Sequence, residues 1–306
     1  MHGSVHIIHK NAILIESCKS NRDLRTLRSL HARVLALGIA HHDFLRVKLV
    51  SSYAHCSQLP DALHIFHCAR RRPTFLFNSL IKAFDSLNLH SQSINFYLYM
   101  LQSGKLPDRH TFPSLLKSCA SLSALHLGRL VHAAAVVHGF SSDIANSNAL
   151  IAMYAKSGDV VTARRVFDEM PERNVVSWSA IIGAYGAHGM CQEALGLFED
   201  MLESGVLPDS KTFTSVLAAC SHGGMVETGR KVFETMEERF GVRPRLEHYT
   251  CMVDLLGKAG AQEEAKALIE RIDSPPDRAL WRAFLGACRL HGSNLNPSDP
   301  SLGSTC

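Results

Sequence analysis

The feature that most constrains this chain is that it repeats itself at a spacing of 101 residues. Cys18, Cys119 and Cys220 stand at that interval, in the contexts ESCKS, KSCAS and AACSH. His31 and His132 keep the same spacing, as do Tyr53 and Tyr154, Phe66 and Phe167, Gly104 and Gly205, and Phe112 and Phe213. The Pro107-Asp108 pair returns as Pro208-Asp209. A long self-similar period marks a repeat architecture, whose units bury their apolar faces only against one another.

The period divides into units of 35, 35 and 31 residues, at 74–108, 109–143 and 144–174, and the first type restarts at 175. Each unit reads as two amphipathic helices. In 144–174 the first carries Ala149, Leu150, Met153 and Tyr154 on one face. Ser157-Gly158-Asp159 breaks it, because Gly and Asp favour turn conformations. The second carries Ala163, Val166, Phe167 and Met170 at helical spacing, and Pro171 is expected to stop it. In 175–209 Ile181, Ile182 and Tyr185 precede a turn at Gly189, and Gly205 stands where a helix ends in a residue tolerant of positive φ. One such hairpin cannot bury its stripe alone, so the hairpins are expected to stack into an all-α solenoid.

The chain has 306 residues, 46% of them hydrophobic, enough for a continuous core spread along an axis. A net charge of +4 is compatible with nucleic acid without arguing for it. The nine cysteines stand singly, with no C-x-x-C pair, as small packing residues in a reducing compartment would. Eighteen histidines are scattered without the spacing of a zinc site, so neither metal nor cofactor is expected, and no catalytic residue is assigned. No run of 18 apolar residues offers a membrane span. Arg70-Arg71-Arg72 reads as a solvated turn first and as a phosphate contact second.

A 35-residue helix pair ending in Gly-x-x-Pro-Asp, alternating with a 31-residue pair ending in DEMPER, resembles the pentatricopeptide repeat (PPR) family. More narrowly it resembles the land-plant subgroup built of standard (P), long (L) and short (S) repeats. The string NALIAMYAKSGDVVTARRVFDEMPERNVVSWSAIIGAYGAHG carries the likeness, LEHYTCMVDLLGKAGAQEEAKALIERI resembles the last repeat, and ALWRAFLGACRLHGS the start of the C-terminal E domain. Tetratricopeptide repeats, the competing reading, keep a constant period and lack the Pro-Asp end. The register drawn from the resemblance has eight repeats, at 8–42, 43–73, 74–108, 109–143, 144–174, 175–209, 210–245 and 246–277. A short segment, 1–7, precedes them; a partial E-like motif, 278–294, and a disordered tail, 295–306, follow.

The resemblance implies a right-handed α-solenoid that binds single-stranded RNA, one base per repeat, through two or three side chains. In the family the fifth and last residues of a repeat choose the base, and an apolar second residue packs on it. Carried onto this chain, the second position gives Phe75 and Val176. Asn78 with Asp108 resembles the uridine-preferring pair, Asn148 with Asn174 a pyrimidine pair leaning to cytidine, and Ser179 with Asp209 the guanosine-preferring pair. Pro113 with Asp143 is a weak pyrimidine signal, and Thr250 with Asp277 is formally guanosine-like. Thr214 with Arg245 has no reading, and Val47 with Pro73 and Ala12 with His42 supply no polar pair. The expected target core over 74–209 is U-pyrimidine-C-G. Asp, Asn and Ser at these places also suit turns and helix caps, so a purely structural role stands beside recognition.

Longer members of the subgroup end in a deaminase-like domain that needs an H-x-E … P-C-x-x-C zinc site, and this sequence contains none. The function implied is therefore site recognition in organelle RNA processing, foremost cytidine-to-uridine editing. The deaminase would come in trans from a deaminase-bearing PPR protein or other editing factors. The alternative is a protein-interaction scaffold without RNA specificity. The resemblance points to a mitochondrion or chloroplast, although repeat grammar beginning near Ile8 leaves little room for a transit peptide.

Overall fold

The computed structural model describes residues 2–272, 275 and 277–290. Among these residues there are seventeen α-helices and no strand. They form two compact units, residues 1–157 and 158–306. The tail at 295–306, and the end of the E-like segment beyond 290, lie outside the described residues.

The first unit holds α1 (His2–Asn21), α2 (Leu24–Ala36), α3 (Asp43–His55), α4 (Leu59–His67), α5 (Thr74–Ser86), α6 (His90–Gln102), α7 (Phe112–Ser121), α8 (Leu125–Val137) and α9 (Ile144–Lys156). Helices α1, α3, α5 and α7 each pack on the even helix that follows and on the next odd helix, so α1, α3, α5, α7 and α9 form one continuous layer. The turn inside each hairpin is made by a single residue in the left-handed region: Arg22, Ser57, Asn88 and Ser123. The core of this unit centres on an aromatic cluster in which Phe66 meets Phe77 at 4.9 Å and Phe96 at 5.0 Å between ring centroids. Phe66 and Phe77 are fully buried.

The second unit holds α10 (Val160–Asp168), α11 (Val175–Ala187), α12 (Cys191–Glu203), α13 (Ser210–Gly223), α14 (Val226–Glu238), α15 (Leu246–Lys258), α16 (Gln262–Glu270) and α17 (Arg278–Leu290). The odd helices α11, α13, α15 and α17 again stack on one another. They approach closely where α11 passes α13: a Cβ added to Gly186 would lie 2.7 Å from Cβ of Ala219. Gly205 ends α12 at φ +77°, with Gly205 N–H donating to Leu202 O and Val206 N–H to Met201 O. That pair of hydrogen bonds is the Schellman closure, which glycine makes without steric cost.

The short unit is explained by its second helix. α6, α8, α12 and α14 have 13 residues each, whereas α4, α10 and α16 have 9, four fewer, which is the difference between a 35- and a 31-residue unit. One helical turn has been deleted. An arginine satisfies the carbonyls left at the truncated end. Arg173 donates to Phe167 O (3.0 Å) and Asp168 O (2.8 Å) and lies over the Phe167 ring at 4.9 Å. Arg72 does the same at Phe66 O (3.3 Å) and His67 O (3.0 Å). This corrects the expectation that α10 runs through Met170 to Pro171. The helix ends at Asp168, and Met170 is buried from the turn beyond it.

α1 begins at His2, ahead of Ile8, and the Asn11 amide donates along the helix to Ile7 O at 2.8 Å. The paired intervals of His and Tyr have a physical cause. His31 Nδ1 lies 3.0 Å from the Tyr53 hydroxyl, and His132 Nδ1 lies 2.9 Å from that of Tyr154, each joining an even helix to the odd helix after it. Cys119 and Cys220 are fully buried, and burial pushes both thiols up to about 11. No group of metal-binding side chains occurs among the described residues, and no described helix is long and apolar enough to cross a membrane.

Candidate functional site

The loop entering α7 folds back on the first turns of α5. Asp108 opens that loop, and its Oδ1 accepts the His110 N–H at 2.8 Å. The Thr111 hydroxyl accepts the Asp108 N–H at 3.0 Å and passes its own proton to Asn78 Oδ1 at 2.8 Å. The Asn78 amide then donates from Nδ2 to Asp108 Oδ1 at 2.9 Å. A carboxylate only accepts, so the Asn78 amide has one allowed orientation, with nitrogen towards Asp108 and oxygen towards Thr111. These bonds leave one N–H and one oxygen lone pair of the half-buried Asn78 uncommitted.

Around that edge an open groove of about 610 Å³ runs between α5 and α7. Phe75, Asn78 and Pro113 line it together with Lys82, His110 and Lys117. Phe75 is 45% exposed, too open for a core ring, and lies beside the polar edge. Lys117 is tied at 2.8 Å to Asp85, a carboxylate only 4% exposed, which also accepts from Ser118 at 3.3 Å. Lys82 is exposed.

The second unit repeats the frame with Ser179 in place of Asn78. Asp209 caps α13, accepting the Thr212 N–H at 2.9 Å and the Thr212 hydroxyl at 3.0 Å. Thr212 returns the bond by accepting the Asp209 N–H at 3.2 Å, a capping box. Ser179 touches the same threonine at 2.8 Å and gives its own proton to Val175 O at 2.7 Å. With that proton engaged, Ser179 and Asp209 together form an acceptor edge. Val176, on the first turn of α11, is 52% exposed.

The remaining residues are placed less tellingly. Asn174 Oδ1 accepts from Val176 N, Ser177 N and the Ser177 hydroxyl, each at 3.1 Å, so its oxygen caps α11. Asn148 is half-buried on α9. Asp143 caps α9 through Asn146 N at 3.1 Å. Thr250 returns its proton to Leu246 O at 2.8 Å, and Asp277 caps α17 through Leu280 N at 2.8 Å.

Comparison with known proteins accounts for this frame. A model described as the PPR repeat family matches residues 173–222, and one described as the PPR repeat matches 147–175 and 211–239. A mitochondrial pentatricopeptide repeat-containing protein of Arabidopsis thaliana is 40% identical over 253 residues, covering 83% of this chain and 45% of the relative. The chloroplastic protein CRR2 of the same plant is 35% identical over 284 residues, covering 92% of this chain and 43% of the relative. The chain belongs to the pentatricopeptide repeat family. It spans about half the length of the curated relatives it matches, 45%, 38% and 56% of three of them.

The PPR solenoid fold is also met in solved structures. The crystal structure of the pentatricopeptide repeat protein PPR10 in complex with an 18-nucleotide psaJ RNA element matches with a TM-score of 0.71 at 15% identity, over 86% of this chain and 40% of that one. PPR10 from maize, in a second crystal structure, matches with a TM-score of 0.57 at 17% identity, over 94% of this chain and 50% of that one. Sequence reasoning overlooked Thr111 and Thr212, which bridge Asn78 to Asp108 and Ser179 to Asp209. Their signal was present: they stand 101 residues apart, three places after Asp108 and Asp209.

Proposed function

We propose that this chain is a non-catalytic, sequence-specific binder of single-stranded RNA acting in organelle RNA processing. It would serve there as a site-recognition factor for cytidine-to-uridine editing, with the deaminase supplied in trans by another PPR protein or editing factor. The observation that carries the reading is the locked Asn78 amide beside exposed Phe75 in an open groove. A groove-lining side chain held by two partners, with a donor and an acceptor still uncommitted, is suited to meet a third group. Uracil offers O4 as acceptor and N3–H as donor on its Watson–Crick edge, the complement of what Asn78 leaves open. The Phe75 ring supplies a face on which an unpaired base can stack. The acceptor edge of Ser179 and Asp209 suits the N1–H and N2–H donors of guanine by the same logic.

The repeat register at 8–277, the P, L and S types and the E-like motif from 278 belong to this reading. The helix starts at Asp43, Thr74, Ile144, Val175, Ser210, Leu246 and Arg278 support it. Relatives named mitochondrial and chloroplastic support an organelle as the place of action. Selection of the purified chain against a random single-stranded RNA pool at moderate salt tests the proposal. Enrichment of a U-pyrimidine-C-G core is expected. A folded, helical chain that enriches nothing would overturn RNA recognition and leave a protein scaffold as the function.

A further inference from the structure

Beside the start of α5 lies a second concavity, of about 670 Å³, lined by the buried ring of Phe77. Arg70 and Arg71, from the turn before α5, line it together with Ser103 and Lys105 from the turn after α6. Arg72 also borders it but is committed to Phe66 O, His67 O and the Tyr99 hydroxyl. Arg70, Arg71 and Lys105 enter no ion pair among the described residues. The one carboxylate on the rim, Asp43, is paired with Arg46 at 3.2 Å. Three cations thus face one hollow with no counter-charge of their own, and a cleft lined by one sign of charge concentrates the opposite ion.

This charge is a local departure from the repeat. The residues 101 positions later are Pro171 for Arg70, Glu172 for Arg71 and Val206 for Lys105. The neighbouring helix start differs as well. Asn174 caps α11 with its side chain, whereas α5 starts after Pro73, which offers no side-chain acceptor. The first N–H groups of α5 therefore add positive potential to the same end of the helix. Repeat packing alone does not call for these cations, because the equivalent unit folds without them.

We propose that this concavity is a phosphate site that seats the backbone of the single-stranded RNA whose base is read at Asn78. The inference rests on the RNA-binding reading above. Phe77 lines the phosphate site and Asn78 lines the base groove, so one turn of α5 couples the two. Arg70, Arg71 and Lys105 supply affinity without sequence preference, and Asn78 supplies preference with little charge.

The test compares the full chain with the triple variant Arg70→Gln, Arg71→Gln, Lys105→Gln, and with Asn78→Ala. Binding of a U-containing and a U-to-C-substituted single-stranded RNA is measured between about 50 and 200 mM salt. The triple variant is expected to bind both RNAs more weakly by the same factor. Its slope of log K against log salt should be shallower by about 2, as loss of three contacts at ~0.7 each predicts. The variant Arg70→Lys, Arg71→Lys should keep the wild-type slope, because point charges suffice. Asn78→Ala should lose preference and keep its slope. A triple variant with wild-type affinity and slope overturns the phosphate site while leaving RNA recognition standing. If the wild type binds no RNA, the recognition reading falls and the RNA source falls with it. Inorganic pyrophosphate then decides the anion site: thermal protection of the wild type but not of the triple variant upholds it, and equal protection or none overturns it.

Discussion

At the scale of single residues, the proposed recognition turns on which protons are already spent. Asn78 commits one N–H to Asp108 and one lone pair to Thr111, so its remaining edge is fixed in sense. Asn78→Ala should therefore lower affinity for a U-containing site by about 1–3 kcal/mol relative to its C-substituted form, the usual worth of a good paired contact to a base. Equal losses on both RNAs, read by titration, would remove Asn78 from base choice. Thr111→Val keeps shape but deletes the hydroxyl that orients the amide, and should reduce the same preference without touching Asn78. Ser179→Asn places an amide against Thr212 and Asp209 as in the first unit, and should turn a guanine preference into a uracil preference in a binding selection. A histidine gives a pH dependence of known sign. Burial holds His31 below its ordinary value, the nearby Asp61 opposes this and His64 adds to it. The unfolded chain then takes up the proton first, so stability is intact above about pH 6.5 and falls as pH drops towards the folded value. The melting temperature should fall on acidification, and less steeply in His31→Gln, which keeps an acceptor for Tyr53.

At the scale of elements, the architecture was legible because its signal is redundant. Apolar residues recur on one face of most helices, and Phe66, Phe167, Tyr53 and Tyr154 return at one interval because they fill equivalent seams. Phe167, packed on Trp178 at 4.9 Å, is 2% exposed, and Phe167→Ala should cost about 3–5 kcal/mol in chemical denaturation. Gly186→Val should also destabilise, by roughly 1–3 kcal/mol, because α13 stands too near to yield to a branched side chain. What periodicity could not show was the end of α10. Met170 keeps helical spacing but is buried from a turn, and the stop is set by the reach of Arg173, which no local pattern announces. The site was half legible for a related reason. Asn78 and Asp108 were singled out as a pair, but the bond between them needs Thr111, whose role appears only when the loop folds back on α5. Asn174 shows the converse, since an oxygen readable as a base contact is occupied by three donors of its own helix end.

At the scale of the whole molecule, the modest net charge of +4 makes the placement of cations matter more than their number. RNA affinity should fall steeply with salt, because phosphate contacts release counterions, and the slope measured on the full chain bounds how many contacts are made. The same separation of tasks appears in the reading frame itself. In both units the Asp N–H donates to the Thr hydroxyl, whether the side chain beside that threonine is Asn78 or Ser179. A change of that side chain therefore alters an uncommitted edge and leaves the buried scaffold untouched. Descendants of such a chain can acquire a new target by a single codon change, without passing through an unstable ancestor, so their preferences are free to diverge faster than their cores.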